Sequence, residues 1–84
     1  MFVSVDDRVV AVVASIASEQ HAGNLPEVRL ESRLVQDVGL DSLRLLELTV
    51  SLEVEFGLEP LGDSEFSGVS TVADVAELVA SKIS

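Results

Sequence analysis

Between Ser42 and Phe56 the chain carries two apolar stripes at helical spacing, and this segment constrains the fold more than any other. At about 100° per residue, Leu45, Leu48, Leu52 and Phe56 share one face with Thr49 at its edge, while Leu43, Leu46, Val50 and Val54 share the opposite face. Arg44, Ser51 and Glu55 form a polar flank, and Glu47 and Glu53 border the second stripe. One core needs only one stripe. Either the helix is central and covered on both sides, as helices apolar all round usually are, or the second stripe is an exposed docking face rimmed by acid. The short elements on either side favour exposure.

The rest of the chain reads as helices joined by turns. Ser4 and Asp7 form a helix-start signal, a capping hydroxyl followed by an acid near the positive end of the dipole. Val9, Val13, Ile16 and Ala17 continue it to about Glu19, after which His21, Gly23 and Pro26 break the pattern and place His21 in a loop. Residues 22–41 form a long connection, anchored by Leu25, Val28, Leu30, Leu34, Val38 and Leu40, with Gly39 allowing a tight bend. Gly57 suits the position just past the second helix. Ser64 to Phe66 leave room for one short turn, and a capping signal from Thr71 to Asp74 opens a last helix with Val72, Val75, Ala76, Val79 and Ile83 on one face. The expected fold is all-α, a small bundle of three main helices plus one short helix.

With 84 residues, no Cys, no Trp and no Tyr, the bundle must be one module over 1–84, held by aliphatic packing without a disulfide or a Cys-ligated metal. Fifteen acidic against five basic side chains give a net charge of -10, which opposes nucleic acid and anionic lipid and suits partners with basic patches. Asp6 and Asp7 stand where a secretory signal needs positive charge, and the apolar run Val9 to Ala17 is too short to span a bilayer. A cytoplasmic monomer is expected.

Catalytic chemistry is poorly provided for. A hydrolase needs a nucleophile, a base and oxyanion donors, yet the chain has one histidine, and no Gly-x-Ser-x-Gly elbow surrounds any serine. The acids are dispersed without a calcium-loop pattern, and no Gly-rich phosphate cradle occurs. No catalytic or metal-ligating residue is expected. What stands out is Ser42, just after Asp41 at the start of the second helix. On those two residues alone, helix capping by Asp41 or Ser42 is the simpler reading.

The longer pattern is more specific. Leu34 to Leu43, which includes Gly39, Leu40, Asp41, Ser42 and Leu43, then Leu46-Glu47-Leu48 and Leu52 to Gly57, closely resembles the acyl carrier proteins, and Thr71-Val72 matches the opening of that family's last helix. The resemblance spans nearly the whole chain. It implies that Ser42 is the covalent attachment point for 4′-phosphopantetheine, delivered from coenzyme A by a separate phosphopantetheinyl transferase using magnesium, and that the chain is not an enzyme. A chain without cysteine would then obtain its thiol from the attached arm, and an unactivated serine would suffice because the transferase brings the base and metal. By the same resemblance Asp41 shapes the turn and contacts the transferase. Leu43, Arg44, Leu46, Glu47, Val50 and Glu53 would be read by acyl-loading, condensing and other pathway enzymes through basic docking patches, in weak, salt-sensitive contacts.

Arg44 and Val54 stand where fatty-acid carriers often have acids, and residues 58–63 depart from the family's usual lead into its short helix. Leu40 stands where peptidyl carriers commonly have glycine. The leading expectation is a discrete carrier of acyl thioesters for polyketide or fatty-acid synthesis, with specialised routes such as antibiotic biosynthesis included. The alternatives are an aminoacyl or peptidyl carrier, or an acidic helical adaptor in which Ser42 is only a cap.

Overall fold

Helix α1 (Val5–His21) begins where the Ser4 hydroxyl accepts the amide of Asp7 at 3.1 Å. It is followed by α2 (Ser42–Phe56), α3 (Asp63–Phe66) and α4 (Val72–Ile83). The computed structural model describes residues 4–21 and 27–83, those at 20, 21 and 63 by backbone alone. Among the described residues the only β pairing is one isolated antiparallel bridge between Arg33 and Thr71. The bundle is all-α, with three main helices and one short one. His21 closes α1 instead of lying in a loop. Gln20 and His21 are ordinary helix residues, whereas true breakers come only with Gly23 and Pro26. Those two and Leu25 lie outside the described residues.

The core is aliphatic. Val9, Val13, Ile16 and Ala17 of α1 meet Leu48 and Leu52 of α2 and Val72, Val75, Ala76 and Val79 of α4, all buried. The connection contributes Leu34, Val38 and Leu40, also buried, so its length reflects packing duty. It is pinned to the start of α4 by backbone bonds: Leu34 N to Ser70 O at 2.9 Å, Val72 N to Ser32 O at 2.9 Å and Ala73 N to Leu30 O at 2.7 Å.

Helix α4 opens with a reciprocal cap. The Thr71 hydroxyl accepts the Asp74 amide at 3.1 Å, and Asp74 Oδ2 accepts the Thr71 amide at 3.1 Å. The backbone amide of Ser70 is the largest cause holding the Asp74 carboxyl below its ordinary 3.8, with Thr71 adding to it. Among the described residues no helix is long and apolar enough to cross a membrane.

Gly57 ends α2 in the left-handed region at φ 65, and Leu58 N closes back on Glu53 O at 2.9 Å, the bonding of a Schellman motif. A Cβ at Gly57 would meet nothing within 4 Å, so only backbone strain opposes a side chain there. Gly57→Ala is expected to lower unfolding free energy by about 1 kcal/mol in chemical denaturation.

Candidate functional site

Two backbone features place the start of α2. Gly39 turns at φ 80, and Leu40 drops into the core while its amide reaches Leu34 O at 3.0 Å. Asp41 is then held extended at φ -91, ψ -179, where its Oδ1 accepts the Arg44 amide at 2.9 Å and its carbonyl accepts the Leu45 amide at 2.9 Å. Asp41 is therefore the cap. Ser42, the first helical residue, is exposed, and among the described residues its hydroxyl has no hydrogen-bond partner.

Beside Ser42 lies a groove of about 320 Å³. Leu45, Leu46 and Thr49 of α2 form one wall, and Leu61, Phe66 and Ser67 form the other. The Thr49 hydroxyl donates to Leu46 O at 2.7 Å, which spends its polarity on the backbone. Sequence spacing assigned Leu45 to the core and left residues 58–67 without a role. Yet Leu45 and Thr49 follow Ser42 at i+3 and i+7, a shared helix face that was available as a signal.

The second stripe of α2 is open to solvent. Leu43, Leu46, Val50 and Val54 are 59%, 60%, 51% and 79% exposed, so the helix is not covered on both sides. The acids around that stripe are all engaged inside the chain. Arg44 lies 2.8 Å from Glu47 Oε2 and 3.5 Å from Glu19 Oε2 on α1, and the Glu47 bond holds its guanidinium pKa above the usual value. Glu53 Oε2 accepts the Leu61 amide at 2.7 Å. Glu55 is bound by Arg8 at 2.8 Å, and the same guanidinium stacks 4.5 Å from the Phe56 ring centre. The polar flank of Arg44, Ser51 and Glu55 thus borders α1. It leaves an apolar ridge, with carboxylates already satisfied, as the outward face.

The first residue of α2 is thus an exposed serine with no hydrogen-bond partner for its hydroxyl among the described residues, beside a mostly apolar groove. Residues 7–79 match the family described as phosphopantetheine attachment site. The acyl carrier protein of Thermotoga maritima is 32% identical over 77 residues, covering 92% of this chain and 94% of that protein. That of Wolinella succinogenes is 37% identical over 67 residues, covering 80% and 87%. The crystal structure of the Thermotoga maritima acyl carrier protein superposes with a TM-score of 0.73 at 29% identity, covering 94% of this chain and 91% of that one. The chain belongs to the acyl carrier protein family. By that homology it is a carrier, not an enzyme, and carries 4′-phosphopantetheine covalently. The site fits such a group. Ser42 offers an exposed hydroxyl, the amino end of α2 favours an anion beside it, and the adjoining groove offers an apolar surface.

Proposed function

We propose that Ser42 is the attachment residue and that the chain is a carrier presenting acyl cargo to the enzymes of a polyketide-type or fatty-acid pathway. The observation that carries this reading is the division of labour between neighbours: Asp41 caps α2, and the Ser42 hydroxyl is exposed, with no hydrogen bond among the described residues. The adaptor alternative needs Ser42 as a cap, and that role is already filled. In the modification step Ser42 Oγ bonds to the phosphorus of coenzyme A that bears pantetheine. The phosphoanhydride bond breaks, adenosine 3′,5′-bisphosphate departs, and the hydroxyl proton passes to a base on the transferase. The arm supplies a thiol that the cysteine-free chain lacks. The test is intact mass after incubation with coenzyme A, magnesium and a promiscuous transferase. A single pantetheine-sized addition on the peptide containing Ser42 is expected, and no addition with several competent transferases would sink the proposal.

Arg44 favours the polyketide-type assignment. Its one positive charge is shared between Glu47 and Glu19, which leaves less free acid at the spot where a fatty-acid carrier would present it. Partner enzymes would be steered at long range by the net charge of -10, but close contact would rest on the ridge Leu43, Leu46, Val50 and Val54. Added salt would therefore slow association more than it speeds dissociation. Leu46→Asp is expected to weaken binding to a cognate condensing enzyme by about tenfold to a hundredfold, the equivalent of one apolar side chain lost from an interface. Surface plasmon resonance at two salt concentrations checks both points.

A further inference from the structure

The chain leaving α2 is held at one residue in two ways. The Glu53 carbonyl accepts the Leu58 amide at 2.9 Å, and its carboxylate accepts the Leu61 amide at 2.7 Å. Beyond them Gly62 N donates to Glu65 Oε1 at 3.2 Å, and Glu65 pairs with Lys82 in the last turn of α4. Leu61, at the first tie, and Phe66, next to Glu65 of the second, are the apolar side chains that face α2 across the groove beside Ser42. One wall of the groove is thus a long helix embedded in the core. The other is a loop and a four-residue helix, partly buried and fastened by polar bonds at each end. A segment with few buried contacts opens more readily than the body it lies on. Its position depends on the bonds that fasten it.

We propose that Glu53 is a positioning residue whose carboxylate, by holding the Leu61 amide, sets the movable wall of the groove and so determines how far a cargo tethered at Ser42 is sheltered from solvent. The proposal rests on Ser42 as the tether. Sequence spacing had grouped Glu53 with the docking acids, but its carboxylate turns to a backbone donor eight positions along the chain. Reach is the property that matters. Gln keeps the length and an acceptor oxygen without the charge, whereas Asp keeps the charge and loses a methylene.

Two measurements on the full chain test this. In the unmodified protein, amide hydrogen exchange at Leu61 is expected to rise about tenfold in Glu53→Ala and Glu53→Asp, and to stay near the parent rate in Glu53→Gln. In protein loaded at Ser42 with octanoyl-phosphopantetheine from octanoyl-coenzyme A, hydroxylamine should cleave the octanoyl thioester faster in the Ala and Asp variants. The Gln variant should behave as the parent. If Glu53→Ala does not fold, the contrast between Asp and Gln carries the test. Leu61 exchange and thioester cleavage that do not differ between Asp and Gln variants would overturn the proposal. A parent that gains no mass at Ser42 would instead sink the tether reading, and Leu61 exchange would still decide whether Glu53 latches the wall.

Discussion

Ser42→Ala is expected to fold as the parent does and to accept no phosphopantetheine under conditions that modify the parent completely. The loss should be total because the substitution removes the only atom that would form the bond to phosphorus. It should also be cleanly functional. The Ser42 hydroxyl is exposed and makes no hydrogen bond among the described residues, so its removal should move unfolding free energy by less than about 0.5 kcal/mol. Asp41→Ala should invert the pattern. It removes the acceptor of the Arg44 amide, costs about 1 kcal/mol of stability, and leaves a hydroxyl that still takes the group, more slowly because the turn presenting it is looser. Intact mass against time, beside a thermal melt of each variant, separates the two residues. An adaptor in which Ser42 served as the cap would show the opposite assignment, with stability lost at Ser42 and no mass gained by any variant.

What could be read in the sequence was whatever depends on near neighbours along the chain. The bounds of α2 follow from helical period and from Gly57. The second apolar stripe follows from spacing, while its exposure comes only from the packed chain, and the Thr71 cap follows from two residues three apart. Which of Asp41 and Ser42 caps α2 was not legible, because both are good capping residues. The backbone at Asp41 decides, and that backbone is set by the bend at Gly39 and the burial of Leu40. The fate of the acids was hidden for another reason. Arg44 reaches Glu19 across 25 positions, Arg8 reaches Glu55 across 47, and Glu53 finds a backbone amide 8 residues on. A helical wheel shows where a carboxylate points but not what the packed chain brings to meet it. The groove escaped for the same cause, since half of its wall comes from residues 58–67, whose place depends on those tertiary bonds.

Leu48 and Leu46 stand two positions apart on α2 and should respond oppositely to truncation. Leu48 is 0% exposed at the centre of the core, and Leu46 is 60% exposed on the ridge. Leu48→Ala is expected to cost about 3 kcal/mol, the transfer free energy of the removed atoms plus the cavity left between helices that cannot fully collapse. Domains of this size have total stabilities on the order of 5–10 kcal/mol, so the melting temperature should fall by about 12–24 °C. Leu46→Ala should leave stability within about 0.5 kcal/mol of the parent and weaken only the contacts made with partner enzymes. Thermal and chemical denaturation of the two variants beside partner binding would resolve the faces. If both variants lost stability equally, the ridge would be a second core surface and the docking face would have to lie elsewhere. If only Leu48→Ala did, the apolar stripe that one core does not require would be explained by what the carrier must touch.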